Sequence, residues 1–210
     1  MLSAQGTLLY TAQSSASPPT YRLMSTPEHG GARSTLLTGR YDYKCGALPS
    51  SSCVLAELKD KQLIFSHLDP VTGKGDEIAS IAGYQGSEPR WSLSPDGARI
   101  AIVDPVEEKG EIRILNLADR KVTVLLLRNW KWKFLQWISW AADGRTLFAS
   151  ADSYLSDSLF SVDANGNLKI LYEIPGGAGW ISSIVPSPDG RSLAFTKRMY
   201  IADVMLLENF

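Results

Sequence analysis

Histidine and cysteine are scarce in this chain, which has only two of each among its 210 residues. The histidines, His29 and His67, lie in separate stretches without the spacing of metal ligands, and two thiols alone make a poor zinc site. With so few imidazoles, a Ser-His-Asp triad has few ways to form, and the sequence contains no G-x-S-x-G nucleophile elbow. We therefore expect no metal, no cofactor and no conventional hydrolase centre.

Long apolar runs and an excess of charge are also missing. No window approaches the roughly 18 apolar residues that a membrane-spanning helix needs, and the first residues lack the basic and apolar regions of a signal peptide. The 21 basic and 22 acidic residues give a formal net charge of −1, which argues against a general affinity for nucleic acid or anionic lipid. The composition, 44% apolar and 20% charged, is that of a globular protein with a core. We expect a soluble segment without a nucleic-acid partner or a membrane span.

The two cysteines, Cys45 and Cys53, flank a predicted hairpin. Two interpretations remain open: both are small buried hydrophobic residues, or they form a disulfide across neighbouring strands. A disulfide would favour an extracytoplasmic or periplasmic location, and free thiols would favour the cytoplasm. In either case we expect the two sulfur atoms to lie close together.

An Asp-Gly turn recurs along the chain, as SPDG at 94–97, AADG at 141–144 and SPDG at 187–190, with an apolar run after each copy. The aspartates are 47 and 46 residues apart, and two earlier copies with eroded turns precede them. A period of this length is typical of a repeat architecture. The predicted repeat units are 1–40, 41–83, 84–127, 128–174 and 175–210.

The repeated turn residues have a structural explanation, because aspartate caps a turn and glycine accepts the positive φ that the turn needs. The set comprises Asp96, Gly97, Asp143, Gly144, Asp189 and Gly190. We interpret these aspartates as turn formers rather than catalytic carboxylates. Two further acids, Asp152 and Asp157, are interpreted as ordinary loop residues.

Each unit is predicted to contain four short strands joined by tight turns, with no helix longer than a single turn. Four strands per unit at this period are typical of propeller blades, so the predicted fold is an all-β, partial or open β-propeller of about five four-stranded blades in one region, 1–210. Strands should centre near Leu9, Phe65, Ile102, Ile114, Leu147, Phe160, Ile170 and Leu193. Burial is expected for Trp91, Ile100, Ile138, Trp140, Leu147 and Leu193.

The tryptophan-rich stretch WKWKFLQWISW alternates as a strand does. Its Ile138 and Trp140 occupy the repeat positions of apolar residues in the preceding unit, which predicts packing between blades. Trp137 instead occupies the repeat position of Arg90 and Ser183, where polar residues are accepted. The candidate ligand-binding residues are Trp137, Arg90 and Trp180.

The segments WSLSPDGARIAIVD, ISWAADGRTLFASA and VPSPDGRSLAFTK resemble the repeats of TolB-type propellers, a WD-like class, and the resemblance extends across nearly the whole chain. LDPVTGKG and the closing VMLLENF resemble the C-terminal propellers of bacterial serine/threonine kinases and winged-helix regulators. No kinase motif or helix-turn-helix is present. The resemblance therefore implies the sensor or interaction module of a larger bacterial signalling protein.

We accordingly predict a non-catalytic module, not an enzyme, that recognises a protein or a small ligand. The alternative is a hydrolase or lyase with an unconventional site at the propeller channel. Strand counting adds a prediction about shape, since the first unit begins at its second strand and the last ends at its third, VMLLENF. An open arc or strained ring would expose blade edges through which copies of the chain could self-associate.

Overall fold

The computed structural model describes residues 6–46, 53–153, 156–175 and 179–199, and these residues form strands, turns and irregular segments without a helix. The strands make five antiparallel sheets, numbered in chain order. Sheet 1 contains β1 (Thr7–Gln13), β2 (Tyr21–Pro27) and β3 (Ser34–Thr38), and sheet 2 contains β4 (Asp42–Cys45), β5 (Cys53–Lys59), β6 (Gln62–Asp69) and β7 (Gly73–Ala82). Sheet 3 contains β8 (Trp91–Leu93), β9 (Arg99–Ile102), β10 (Glu111–Asn116) and β11 (Val122–Leu126). Sheet 4 contains β12 (Phe134–Trp140), β13 (Leu147–Asp152), β14 (Ser156–Val162) and β15 (Leu168–Pro175), and sheet 5 contains β16 (Gly179–Pro186) and β17 (Leu193–Met199).

Five successive sheets, each drawn from one stretch of chain, are the arrangement of propeller blades. The predicted all-β propeller of about five blades is therefore confirmed, and all eight residues named as strand centres lie in strands. The segment VMLLENF lies outside the described residues. The division into a single domain of five units stays a prediction. No stretch of the described residues forms a helix suited to crossing a membrane.

Tight turns let each sheet fold as a meander of sequential hairpins. Between β5 and β6 only Asp60 and Lys61 intervene, with φ of 51° and 59°, which is the pattern of a two-residue turn matched to strand twist. Between β8 and β9 the Asp96 carboxylate accepts hydrogen bonds from the Ser94 hydroxyl and the Ala98 amide. These hairpins are thus specified by residues within the turns themselves.

The first strands of sheets 2 to 5 (β4, β8, β12 and β16) lie side by side, and polar side chains connect sheet 3 to sheet 4 and sheet 4 to sheet 5. Ser92 of β8 accepts a hydrogen bond from the amide of Trp140 in β12, at 3.1 Å. Ser150 of sheet 4 donates one to the carbonyl of Ile181 in β16, at 3.0 Å. Both serines are buried, so these bonds satisfy groups that water cannot reach and fix neighbouring sheets to one another.

Apolar side chains fill the space between each pair of consecutive sheets. Phe65 of sheet 2 meets Trp91 of sheet 3 edge to face, with ring centroids 5.3 Å apart, and Trp132 packs on Phe160 where sheets 3 and 4 meet. The hydrophobic clusters of the described residues join consecutive sheets, and none of them joins sheet 1 to sheet 5. The open arc stays a prediction.

The burial expectations hold with one exception. Trp91, Ile100, Ile138, Trp140 and Leu147 are all buried. The prediction that Leu193 is buried is wrong, because the residue is only half-buried. It lies on β17, the outer of the two described strands of sheet 5, where sheet 4 covers one face only.

Candidate functional site

A cleft runs along the first strands of sheets 2 to 5. It consists of three adjoining cavities of about 300, 500 and 520 Å³. Arg90 and Trp137 line all three cavities, and we call the whole the inner-strand cleft. Each of the three volumes is in the range of sites that hold small molecules.

The three candidate ligand-binding residues come together in this cleft. Arg90 directly precedes β8, Trp137 lies in β12 and Trp180 lies in β16, so three sheets supply one residue each. All three line the cavity of about 500 Å³. Their role in binding a ligand stays a prediction, and the structure supplies the geometry for it.

Cationic side chains cover the aromatic faces of the cleft. The Arg90 guanidinium lies 4.1 Å from the centroid of the Trp137 ring, and the Arg198 guanidinium lies 5.2 Å from that of Trp180. Lys44 lies 5.0 Å from the Trp91 ring. Such contacts stabilise by roughly 0.5–1 kcal/mol at exposed sites and also orient both partners. The cleft is therefore lined by ordered aromatic and cationic groups.

Arg198 was not identified from the sequence, although a signal for it exists. Trp180 and Arg198 are directly opposite in the β16–β17 register, so the two side chains project from the same face of the hairpin. A correct hairpin alignment of sheet 5 would have paired them.

A buried tyrosine holds Arg90 in position. The Tyr84 hydroxyl donates to the Glu88 carbonyl at 2.7 Å and accepts from the Arg90 amide at 2.9 Å. Burial raises the pKa of Tyr84 well above its usual value, so the phenol stays protonated and can make both bonds. The backbone before β8 is thus fixed by the core beneath the cleft.

A β-bulge in β12 places two consecutive residues in the same cavity. Pairing with β13 is shifted between Leu135 and Trp137, and Gln136 falls at the shift. Consecutive side chains of a regular strand point to opposite faces, yet Gln136 and Trp137 both line the cavity of about 500 Å³. The Gln136 amide donates to Asp152 Oδ1 at 3.1 Å. The sequence alternation alone could not reveal this bulge.

A second irregularity lies at the equivalent position of β16. Ser183 has a φ of 52°, and the pairing with β17 is shifted between Ser182 and Val185. Left-handed backbone is uncommon for a residue other than glycine and is often found at functional sites. Ser183 lines two of the three cavities, so both inner strands depart from regular geometry where they meet the cleft.

Two carboxyl groups face each other beside the cleft. Asp152 of β13 and Asp157 of β14 are directly opposite in register, so the interpretation of both as loop residues is wrong. Asp152 lines the cleft, whereas Asp157 is only 4% exposed. Burial and, secondarily, the charge of Asp152 raise the pKa of Asp157 to about 6. This carboxyl group therefore takes up a proton close to neutral pH.

The aspartates of the repeated turns lie away from the cavities that form the cleft. The Ser94 hydroxyl lowers the pKa of Asp96, and the Ser187 hydroxyl lowers that of Asp189. For Asp143, burial has a raising effect, but hydrogen bonds from the Thr146 and Arg145 amides lower the pKa overall. The glycines that follow them, Gly97, Gly144 and Gly190, have φ of 71°, 64° and 69°. Each group bonds within its own turn, which matches a structural role.

A disulfide joins Cys45 and Cys53, which are directly opposite in the β4–β5 register. Cys45 lines the cavity of about 300 Å³, so the bond ties a strand of the cleft to the body of sheet 2. The disulfide is compatible with an extracytoplasmic location. Metal binding has no evident site, since no group of three or more His, Cys, Asp or Glu side chains within the described ranges is placed to hold an ion.

No known family profile matches the chain. Among curated proteins it is 27% identical over 182 residues to the probable dipeptidyl-peptidase 5 of Arthroderma benhamiae, a match that covers 79% of this chain and 24% of that protein. A protein of the same name from Trichophyton verrucosum matches with the same identity and coverage. The chain thus spans about a quarter of the length of these relatives.

Among solved structures, TolB from Acinetobacter baumannii is 22% identical, with a TM-score of 0.66 and coverage of 94% of this chain and 48% of that one. A structure of puromycin hydrolase is 16% identical, with a TM-score of 0.53 and coverage of 91% and 34%. At such identities the likeness shows the fold alone, and that fold is a TolB-type β-propeller. These neighbours do not support the expected resemblance to kinase or winged-helix propellers.

The expectation that the chain is not an enzyme is contradicted. Its curated relatives are named for dipeptidyl-peptidase activity, and one structural neighbour is named as a hydrolase. The expectation depended on missing motifs, and the chain corresponds to only a quarter of the relatives' length. Missing motifs in this stretch cannot exclude an enzyme, and peptidase activity becomes the class to test.

Proposed function

We propose that this propeller region binds peptide segments in the inner-strand cleft and selects them for a peptidase reaction. The observation that carries the proposal is the convergence of Arg90, Trp137 and Trp180, from three separate sheets, on one cavity of about 500 Å³. The peptidase class comes from the curated relatives, which are similar over 79% of this chain.

The chemistry of the cleft suits a peptide. The parts of the Trp137 and Trp180 rings that the two arginines leave uncovered offer apolar surface for side chains, and the Gln136 amide with the Ser182 and Ser183 hydroxyls offers hydrogen-bonding groups for a peptide backbone. Sites for organic ligands commonly combine apolar walls with a few fixed polar groups. A mainly ionic ligand would gain little from the two indole faces.

Binding of the tripeptide Ala-Ala-Phe, followed by calorimetry or by tryptophan fluorescence, tests the proposal. Trp137→Ala should weaken binding about tenfold or more, because anchoring aromatic residues commonly contribute more than about 1 kcal/mol. Tyr172→Ala is the control, since Tyr172 is likewise an aromatic residue beside a cation, Lys197, but lies on the outer strand β15. Equal losses in both variants, or no binding by the unaltered chain, would refute peptide recognition at the cleft.

A second candidate is hydrolysis in the cleft itself, and the carboxyl pair favours it. A carboxyl group with a pKa of about 6 can act as an acid or a base near neutral pH, as Asp157 would beside Asp152. Release of dipeptides from Ala-Ala-Phe p-nitroanilide distinguishes the candidates. Activity that disappears in both Asp152→Asn and Asp157→Asn would place the chemistry here, and unchanged activity would leave the cleft with recognition only.

The remaining expectations about context stay proposals. The Cys45–Cys53 disulfide supports an extracytoplasmic location, which non-reducing mass analysis after aerobic purification tests by looking for free thiols. Self-association through blade edges predicts a dimer or larger species in light scattering, and a compact monomer would contradict it. A signalling role predicts a kinase or DNA-binding domain encoded in the same reading frame.

A further inference from the structure

The cavity of about 500 Å³ contains two arginines, and their partners determine what they can still bind. Arg90 and Arg198 both line it, together with the acids Glu88 and Asp152. An arginine committed to a buried carboxylate would not be available to a ligand, whereas an arginine with a weak partner or none would be.

Arg90 is only weakly engaged. Its terminal nitrogen lies 3.5 Å from the Glu88 carboxylate, and the Glu88 side chain is 60% exposed. That distance is at the edge of hydrogen bonding, and exposed pairs of this kind contribute little. Arg90 Nε is inaccessible to solvent and has no acceptor among the described residues. The Arg90 side chain as a whole is 21% exposed, so a ligand oxygen would reach its terminal nitrogens rather than Nε.

Arg198 has no acidic partner in the described part of the chain, whose ion pairs involve other residues. Its guanidinium lies over the Trp180 ring and is therefore ordered without being neutralised. Stacking on an indole leaves the edge of a guanidinium, where its N–H groups point, open to a planar anion.

The second acid of the cavity is already engaged. Asp152 accepts from Gln136 and lies opposite Asp157 across the strands. Of the two arginines, only Arg90 has an acidic partner in the described part of the chain, and that contact is at the edge of hydrogen bonding.

We propose that the inner-strand cleft binds a carboxylate of its peptide ligand between Arg90 and Arg198, with the neighbouring apolar side chain against Trp137 or Trp180. This inference rests on the proposed peptide recognition and specifies its ligand. The carboxylate can be the free C-terminus or an aspartate or glutamate side chain, since both present the same planar pair of oxygens.

Two matched peptide pairs test the proposal and separate the sources. Ala-Ala-Phe as the free acid is compared with its C-terminal amide, and acetyl-Ala-Glu-Phe-amide is compared with acetyl-Ala-Gln-Phe-amide. One acidic member should bind about tenfold or more tightly than its neutral counterpart, because charge-assisted hydrogen bonds are the strong ones. The acid that shows the preference identifies the source of the carboxylate.

Variants assign the preference to the two arginines. Arg90→Gln and Arg198→Gln should each reduce it several-fold, while Arg90→Lys should retain part of it because the charge remains but the planar fork is lost. Arg128→Gln is the control: Arg128 donates to the Asn165 carbonyl and lines a separate cavity. Because Arg198 is exposed, Arg198→Gln carries the test even where Arg90→Gln lowers stability.

The possible outcomes distinguish carboxylate recognition from the proposed binding of peptides. Equal binding of both members in both pairs would overturn carboxylate recognition and leave peptide binding intact. A preference that persists in both glutamine variants would overturn the assignment to these arginines. No binding of any of the four peptides would refute the proposed function, and this inference with it.

Discussion

Replacing Asp157 by asparagine should stabilise the protein at neutral pH. Burial and the facing carboxylate of Asp152 raise the pKa of Asp157 to about 6, from an ordinary value of 3.8. That difference corresponds to about 3 kcal/mol of preference for the neutral form. Because water in the neighbouring cleft screens the charge, we expect about 1–2 kcal/mol of it to appear as stability. Asparagine has nearly the same shape and carries no charge to bury.

The sign of the pH dependence follows from which state binds the proton. Between about pH 4 and pH 6 the folded protein retains the Asp157 proton and the unfolded chain releases it, so the free energy of unfolding falls as pH rises through this window. Below about pH 4 Asp157 is protonated in both the folded and the unfolded state, so no cost of burying its charge remains. The variant should therefore match the unaltered chain at about pH 4 and exceed it by about 1–2 kcal/mol at about pH 7.

Urea unfolding followed by tryptophan fluorescence, repeated across this pH range, measures the effect. Asp143→Asn is the control with the opposite sign, because hydrogen bonds from the turn lower the pKa of Asp143 and the group stabilises most above its ordinary pKa. A difference between Asp157→Asn and the unaltered chain that does not vary with pH would refute the reasoning. It would mean that the pKa of Asp157 is the same in the folded and the unfolded state.

Three further predictions concern the framework that holds the cleft. Phe160→Ala should cost about 3–5 kcal/mol in urea unfolding, because this fully buried ring contacts Trp130 and Trp132 between sheets 3 and 4; a loss below about 1 kcal/mol would contradict that packing. Gly166→Ala should broaden or abolish the unfolding transition, since its φ is 79° and an added Cβ would clash with the Leu126 carbonyl oxygen. Reducing the Cys45–Cys53 bond should lower the free energy of unfolding by about 2.5 kcal/mol, as expected for so short a loop, and an unchanged midpoint under reducing conditions would contradict its structural role.

The hairpin framework was predictable because its signals are local. Residues such as Asp96 and Gly97 specify a turn through their own hydrogen bonds and φ, and the flanking apolar runs specify strands. Five repeats then leave few architectures in which each apolar face is covered. The burial of Leu193 was overestimated, because burial depends on a neighbouring sheet rather than on the strand that contains the residue.

The cleft was predictable only in part, because its remaining features are not local. Gln136 enters the cavity through a bulge in the pairing of β12 with β13, and Asp157 becomes a perturbed acid only when Asp152 is brought opposite it. The register in which two strands pair cannot be predicted from the sequence of one of them alone. The exclusion of an enzyme was also wrong, because an exclusion based on motifs applies only to the residues in which the motifs were sought.

One position of the repeat lines the inner-strand cleft in three successive units. Six residues before the turn aspartate, units three, four and five have Arg90, Trp137 and Ser183, and all three line the same two cavities. One residue later the same units have Trp91, Ile138 and Ile184, and all three are buried. The position before these buried residues carries a different side chain in each of the three units and lines the cleft in all of them. We therefore expect Trp137→Ala to change binding, while the strand pairing of sheet 4 is retained.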